Sequence, residues 1–252
     1  NSFFMVKYKV SAVSYLNTIP FIYGLKNSPI FDQIELSLDF PALCADKLIR
    51  GAVDIALVPV VAIPQLENPN IFSNYCIGAN GEVGTVCLYS DVPINEIESI
   101  ALDYQSRTSV SLLKILLNEY WDLNPELKNT EIGFEDSIRG KHAALVIGDR
   151  AFTLNRKHAY IYDLSAIWKE LTGLPFVFAA WVANTRLPHN FINHFNKALE
   201  KGLSDTAKAL AQEGSNYSDC ENPEDYLNNK ISYNLDIEKQ KGMELFLSKI
   251  IS

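Results

Sequence analysis

Apolar and polar residues follow each other along the first part of the chain in a way that predicts strands separated by a helix. Residues 8–13 and 34–40 alternate with the period of a strand that has one buried face. Residues 42–52 instead carry apolar side chains at helical spacing, and residues 53–61 form a continuous apolar run typical of a strand buried on both faces. Strand, helix and strand in this order predict the crossover unit of an open α/β sheet.

A second unit with the same outline begins near residue 100. A predicted strand at 100–103 is followed by a polar turn at 104–109 and by a helix at 110–120 with leucines along one side. The other predicted elements are strands at 84–89, 143–147 and 176–183, and helices that begin near residues 21, 151, 189, 224 and 235.

The two units predict a chain with two lobes. Composition changes near residue 91, and extended segments near 84–92 and 176–183 are expected to join the lobes as two hinge crossings. The cleft between two such lobes is the usual place for a small ligand. Lobe I is predicted at residues 1–90 and 180–252, and lobe II at residues 91–179.

Three hydrogen-bonding side chains, Ser14, Asn17 and Thr18, follow the first predicted strand. Pro20 comes after them in the first turn of a helix, where its missing N–H costs nothing. Ligands of open α/β sheets bind at the carboxyl ends of the strands, so we expect these side chains to bind a ligand. The alternative is that Asn17 and Thr18 only cap the helix.

A second group of donors, Ser106-Arg107-Thr108-Ser109, stands at the predicted start of a helix. Its hydroxyls and guanidinium would lie beside unpaired backbone N–H groups and the positive end of the helix dipole. This combination suits a carboxylate or a phosphate, and an ordinary helix cap is the alternative. The glycine spacing of a phosphate-binding loop is absent, which argues against a nucleotide.

Asp149 is the carboxylate best placed for acid or base chemistry, because it follows an apolar strand in the turn Gly148-Asp149-Arg150. A helix cap or a salt bridge to Arg150 are the alternatives. Thr85 stands where the first crossing is expected to begin, so it is predicted to face the cleft.

Composition excludes several classes of function. The formal net charge is -8 and no basic run offsets it, which argues against nucleic-acid binding. No stretch approaches the roughly 20 apolar residues of a membrane span, and residues 1–7 lack the pattern of a cleaved leader, so we expect a cytoplasmic protein. The 4 histidines and 4 cysteines form no nucleophile motif and no metal-ligand spacing, so we expect reduced thiols and no metal.

Five separated motifs resemble the MqnA-type enzymes of menaquinone biosynthesis. In chain order they are Ser14-Tyr15-Leu16-Asn17-Thr18, Asp54-Ile55-Ala56-Leu57-Val58-Pro59-Val60, Ser106-Arg107-Thr108-Ser109, Ile147-Gly148-Asp149-Arg150-Ala151 and Thr172-Gly173-Leu174-Pro175-Phe176-Val177-Phe178-Ala179. The resemblance extends from about residue 9 to residue 250. It implies an α/β chain with a two-lobed fold like the type II periplasmic binding proteins, and the dehydration of chorismate in the futalosine route.

The resemblance also implies roles for the predicted site residues. Chorismate, a dicarboxylate, would lose water across ring carbons 3 and 4 to give 3-[(1-carboxyvinyl)oxy]benzoate. Asn17 would orient the substrate, because an amide transfers no proton at ordinary pH. Either Asp149 or a substrate carboxylate would take the proton. The residues expected to bind the substrate are Ser14, Thr18, Thr85, Ser106, Arg107, Thr108, Ser109 and Gly148.

Two other functions stay open at this point. The sibling enzyme that makes 1,4-dihydroxy-6-naphthoate shares the fold, but it opens with a Ser-Pro-x-Pro-Asn-Asp turn and uses a catalytic histidine, whereas this chain has Ser14-Tyr15-Leu16-Asn17. A non-catalytic protein that binds small anions is also compatible with the fold. The resemblance favours the dehydratase, with a small molecule as partner and no cofactor, and leaves the oligomeric state undetermined.

Overall fold

The computed structural model describes residues 7–155 and 157–251. Residues 1–6 lie outside the described residues. They include most of the segment in which we expect no cleaved leader. The strands are β1 (Tyr8–Val13), β2 (Ile34–Asp39), β3 (Ile55–Pro59), β4 (Asn70–Ala79), β5 (Val86–Ser90), β6 (Ser99–Leu102), β7 (Glu126–Asn129), β8 (His142–Ile147), β9 (Tyr160–Asp163), β10 (Phe176–Ala183) and β11 (Ser232–Asn234).

The strands alternate with helices of varied length. The α-helices are α1 (Ile19–Lys26), α2 (Pro41–Ile49), α3 (Thr108–Leu116), α4 (Leu164–Thr172), α5 (His189–Leu203), α6 (Thr206–Glu213), α7 (Pro223–Asp225) and α8 (Ile237–Ile251). Short 3-10 helices occupy Leu16–Thr18, Pro29–Gln33, Val60–Gln65, Ile94–Glu96, Phe134–Ser137, Gly148–Thr153 and Gly214–Asn216, and π-type turns occupy Leu117–Trp121 and Tyr226–Lys230.

The strands form two mixed sheets, and the predicted α/β class is confirmed. One sheet has the order β11-β4-β10-β3-β1-β2 and the other the order β7-β6-β8-β5-β9. In the first, β1 runs parallel to β2 and β3, in register from Tyr8 opposite Ile34 to Val13 opposite Asp39. In the second, β6 runs parallel to β7 and β8. Each sheet therefore has parallel strands whose carboxyl ends meet at one edge.

The crossings between the sheets differ in position from the prediction. The predicted hinge segments are strands inside the sheets, since β5 lies between β8 and β9, and β10 lies between β4 and β3. The chain leaves the first sheet after Ala79 and enters the second at Val86, and it returns through α4 between Asp163 and Phe176. Segments buried within a sheet and extended linkers carry similar apolar patterns, which explains the error. The lobe boundaries themselves stay a prediction.

Several other elements also differ from their predictions. The segment that begins near residue 151 is a 3-10 helix that already starts at Gly148, and residues 224–230 form the short α7 followed by a π-type turn. Strands β4, β7, β9 and β11 were not predicted. Residues 70–79 mix polar and apolar positions without alternating, and β11 has three residues, too few for a periodic signal.

A close approach of two helices fixes the position of α1, which follows the first polar turn. A Cβ atom on Gly24 of α1 would lie 1.9 Å from the carbonyl oxygen of Ala198, and one on Gly202 of α5 would lie 1.7 Å from that of Pro20. Only glycine permits backbones this near to each other. The buried rings of Phe21 and Trp181 pack nearby with centroids 5.8 Å apart. Tight packing therefore holds the helix in place directly behind the polar turn.

Candidate active site

A cavity lies between the two sheets and is lined by residues that adjoin strands of both. It adjoins the carboxyl ends of the parallel strands β1, β3 and β8, where binding sites of α/β sheets are expected. The residues that line it are Val13, Tyr15, Asn17, Pro41, Pro59, Ile77, Val83, Thr85, Val86, Ser106, Thr108, Ser109, Ile147, Gly148, Phe178, Ala179 and Ile231.

The cavity brings together most of the site residues predicted from sequence. Four others lie near it without lining it: Ser14, Thr18, Arg107 and Asp149. The predicted residues on the wall are Asn17, Thr85, Ser106, Thr108, Ser109 and Gly148.

The start of α3 brings three hydroxyl groups to the wall. The Ser106 hydroxyl oxygen accepts the N–H of Ser109 at 3.0 Å, so it caps the helix, and the Thr108 hydroxyl oxygen accepts the N–H of Val61 at 3.3 Å. Both hydroxyls act as acceptors in these contacts and keep their own hydrogens to donate. The cap and the predicted anion site are therefore compatible at this helix start.

Arg107 points elsewhere, although it belongs to the same turn. Its guanidinium forms an ion pair with the Asp46 carboxylate at 2.8 Å, and both side chains are 42% exposed. Exposed pairs of this kind contribute little to stability. In this conformation Arg107 contacts α2 rather than the cavity.

Asn17, in the turn after β1, lines the cavity, and hydrogen bonds fix both its side chain and its backbone. The Thr18 hydroxyl donates to the side-chain oxygen of Asn17 at 3.0 Å, and the Tyr233 hydroxyl donates to its backbone carbonyl at 2.6 Å. Thr18 is fully buried, and the backbone carbonyl of Ser14 accepts the Tyr217 hydroxyl at 2.9 Å. Thr18 and Ser14 thus support the turn from behind.

Asp149 connects the two sheets. Its carboxylate, in the loop after β8, accepts the backbone N–H of Leu16, in the turn after β1, at 3.1 and 3.2 Å. Burial raises the pKa of this carboxyl from 3.8 to about 6, against the opposing effects of the Leu16 N–H and of Arg150. Asp149 therefore acts as a cap for the short helix that carries Asn17.

Arg150 pairs with a different carboxylate from the one considered in the sequence. Asp103, whose side chain is fully buried, accepts the guanidinium at 2.6 and 2.7 Å and also accepts the N–H of Ile147 at 2.9 Å. The guanidinium also lies 5.2 Å from the centre of the Tyr104 ring. Asp103 was missed because the contact joins two strand ends 47 residues apart.

Tyr15 was also missed as a separate contributor, although it lies inside the first motif. Its ring covers Gly148, where a Cβ atom would come within 2.7 Å of the ring. Gly148 also has a φ of +68°, a conformation that favours glycine. The Tyr15 hydroxyl donates to the side-chain oxygen of Gln105. Tyr15 therefore joins the turn after β1 to both polar turns of the other sheet.

The wall consists mostly of apolar side chains, with a few hydrogen-bonding ones among them. Among the described residues that line the cavity, none has a charged side chain. An anion would be held by hydroxyl and amide hydrogens and by the N-terminal end of α3. Val13, Ile77, Val86, Ile147 and Phe178 would face the carbon skeleton of a ligand. The arrangement suits a small flat acid.

Two further observations concern the described part of the chain as a whole. None of its helices has the length and apolar character needed to cross a membrane. Within the same residues, no group of three or more His, Cys, Asp or Glu side chains is arranged to hold a metal ion.

The chain is similar to known proteins along most of its length. It is 27% identical over 219 residues to a protein named chorismate dehydratase from Thermus thermophilus, covering 79% of each chain. It is also 27% identical over 172 residues to a chorismate dehydratase from Campylobacter jejuni, covering 66% of this chain and 63% of the relative.

The fold is similar to that of binding proteins. The Candida albicans CA3427 product, described as having the generic periplasmic binding protein fold, superimposes with a TM-score of 0.62 at 11% identity, covering 95% of this chain and 90% of the other. The predicted fold is confirmed by this likeness. Residues 8–251 match the model of the family described as menaquinone biosynthesis. The chain is therefore a member of the menaquinone biosynthesis family.

Proposed function

We propose that this protein is a chorismate dehydratase, a hydro-lyase that forms 3-[(1-carboxyvinyl)oxy]benzoate for menaquinone biosynthesis. The observation that carries the proposal is the cavity itself, whose wall combines hydroxyl and amide donors with apolar side chains and has, among the described residues, no charged side chain. Family membership and the names of the two relatives support the same reaction. Chorismate, with two carboxylates on a small carbon skeleton, fits this distribution of groups.

The donors divide naturally between the parts of the substrate. Ser106, Thr108 and Ser109 at the start of α3 would hold one carboxylate, where the helix dipole favours negative charge. Asn17, in the turn after β1, and Thr85, just before β5, would hold the other polar groups. Donors fixed before the substrate binds pay no reorganisation cost during the reaction, and such groups commonly supply the largest catalytic contribution.

The reaction removes a proton from carbon 3 and hydroxide from carbon 4. The C–H electron pair becomes the new ring double bond, and the proton and the hydroxide leave together as water. The ring carboxylate acidifies the carbon 3 hydrogen through the conjugated double bond, and aromatisation drives the step. The elimination is redox-neutral, so the chemistry requires no oxidant or organic cofactor.

We assign proton removal to a carboxylate of the substrate rather than to Asp149. A general base must lie within hydrogen-bonding reach of the proton that it takes. The Asp149 carboxylate is engaged by the Leu16 N–H and is not part of the cavity wall. Its pKa of about 6 would suit a base, but geometry takes precedence over pKa in this choice.

The test is direct. The purified protein is mixed with chorismate, and the ultraviolet spectrum is followed for conversion of the diene into an aromatic ring, with the product mass determined in parallel. Loss of one water with formation of the benzoate is the expected result. Tight binding of another small anion without turnover would instead support a binding protein, and would refute the proposal. The expected cytoplasmic location is tested separately by cell fractionation.

A further inference from the structure

The hydroxyl of Tyr226 lies directly behind the cavity wall, between two residues that line it. It is 2.7 Å from the Thr85 hydroxyl oxygen, and the side chain of Asn17 is close enough to the same phenol to lower its pKa. Tyr226 is 5% exposed and does not itself line the cavity. One buried hydroxyl thus contacts Thr85 and lies beside Asn17.

The directions of these hydrogen bonds follow from the groups involved. The Thr18 hydroxyl donates to the side-chain oxygen of Asn17, and Asn17 lowers the pKa of Tyr226, as a donor near the phenol does, so we assign its NH2 group to face the phenol. Either hydroxyl could donate in the contact between Tyr226 and Thr85. We assign the donor role to Tyr226, because a phenol is a stronger acid than an aliphatic alcohol. Thr85 then keeps its own hydrogen, and Asn17 keeps its second N–H. Both hydrogens remain available to an anion in the cavity.

The ring of Tyr226 is held firmly enough to impose these directions. The Phe152 ring packs against it edge-on, with centroids 5.1 Å apart and an angle of 88° between the planes. The Tyr226 N–H donates to the Asn222 carbonyl at 3.1 Å, and its own carbonyl accepts the Ile231 N–H at 3.1 Å. Burial raises the pKa of the phenol above its ordinary value, so the group stays a neutral donor.

We propose that Tyr226 is a positioning residue that directs the free hydrogens of Asn17 and Thr85 toward a carboxylate of the substrate. Tyr226 touches neither the substrate nor the reacting atoms, and acts only through these two side chains. The identity of the ligand as chorismate rests on the proposed function. The hydrogen-bond arrangement itself does not depend on which small acid binds.

The first test compares two Tyr→Phe variants. Tyr226→Phe keeps the ring and removes the hydroxyl, so we expect kcat/KM for chorismate to fall about 10- to 100-fold, as misplaced binding groups commonly cause. Tyr162→Phe is the control, because its hydroxyl accepts the Ile94 N–H at 2.8 Å and Tyr162 does not line the cavity. We expect the control to retain wild-type activity. Wild-type kcat/KM in a folded Tyr226→Phe variant would refute the proposal.

The second test asks whether Tyr226 acts through its partners. Tyr226→Phe is combined with Asn17→Ala and Thr85→Val, which remove the side chains that it is proposed to direct. Residues that work as one unit give non-additive losses. We therefore expect Tyr226→Phe to cost little in that background. A loss as large as in the wild-type background would mean that Tyr226 acts by another route, and the proposal would be wrong.

A third measurement needs no chorismate. The side-chain amide resonance of Asn17, assigned by its disappearance in Asn17→Ala, is observed by NMR in the ligand-free protein. Tyr226→Phe is expected to shift it and to accelerate its hydrogen exchange, while Tyr162→Phe leaves it unchanged. An unchanged resonance in Tyr226→Phe would overturn the inference. If the wild type failed to turn over chorismate, the proposed function alone would fall, and this measurement would still decide the role of Tyr226.

Discussion

The carboxylate of Asp149 accepts the backbone N–H of Leu16 at 3.1 and 3.2 Å and so joins the loop after β8 to the turn after β1. The contact does not stand alone. The Ala42 N–H donates to the Gln105 carbonyl at 3.3 Å, and the Val61 N–H donates to the Thr108 hydroxyl oxygen at 3.3 Å. These bonds all link residues of the first sheet region to loops of the second, and together they define a closed arrangement around the cavity.

Replacing Asp149 should separate its structural contact from proton transfer. Asp149→Asn keeps an oxygen that accepts the Leu16 N–H, so we expect its kcat to stay within about 10-fold of wild type if the substrate supplies the base. Asp149→Ala leaves that N–H without its partner and should lose more activity. The rates are measured with saturating chorismate. Complete loss of turnover in Asp149→Asn, with the fold intact, would identify Asp149 as the base.

The same residue predicts a pH dependence of stability. The Asp149 pKa is about 6 in the folded protein against an ordinary value of 3.8, so between these values the folded state binds more protons than the unfolded state. This group therefore destabilises the fold as pH rises from 4 to 6, and remains unfavourable above pH 6. Asn does not titrate, so the free energy of unfolding of Asp149→Asn relative to wild type should increase by about 1–3 kcal/mol between pH 4 and pH 7.

Urea titrations of both proteins across this pH range measure that difference. The difference cancels the titration of carboxylates elsewhere, such as Asp163, whose pKa burial also raises. Arg150 and Asp219 act on Asp149 in opposite directions, Arg150 lowering its pKa and Asp219 raising it. A difference that stays constant with pH would show that Asp149 titrates normally.

Asn17→Ala should abolish most of the activity while the fold is kept. The side chain is on the cavity wall and its backbone carbonyl is held by Tyr233, so the variant removes the amide without freeing the turn. Loss of one such aligned donor commonly lowers kcat by about 10²- to 10³-fold. Asn27→Ala, at the exposed end of α1, is the matched control and should stay active. Near wild-type turnover of Asn17→Ala would remove Asn17 from the mechanism.

Gly148→Ala should lower both stability and activity, for two different reasons. The same substitution at Gly51 tests the first reason alone. A non-glycine residue at a φ of +68° is strained by about 1–2 kcal/mol, and the new Cβ would meet the Tyr15 ring at 2.7 Å. Gly51 has a φ of +69° with nothing within 4 Å of the added Cβ. Gly51→Ala should therefore lower the melting temperature alone, whereas Gly148→Ala should also lower kcat/KM. Equal activity of the two variants would show that Tyr15 adjusts without consequence.

The local signals in the sequence accounted for much of the fold and for part of the site. Alternation at residues 8–13 and the apolar run near Ile55 predicted β1 and β3. The apolar run reflects the burial of β3 on both faces, whereas β1 is buried on both faces from Val10 to Val13 instead of on one. The positions of the crossings and the strand β4 were not predicted. Whether an apolar segment lies inside a sheet depends on its neighbours, and these come from distant parts of the chain.

By itself, the sequence determined that two polar turns follow buried strands, and that Asn17 and the hydroxyls of residues 106–109 lie in them. Strand ends and helix starts are local features, so residue spacing is enough to predict them. The tertiary structure alone decided which groups face the cavity. It directs Arg107 to Asp46, pairs Arg150 with Asp103, and places Tyr226 behind Thr85. These contacts join residues far apart in the chain, and their energies depend on burial and direction that only the packed sheets create.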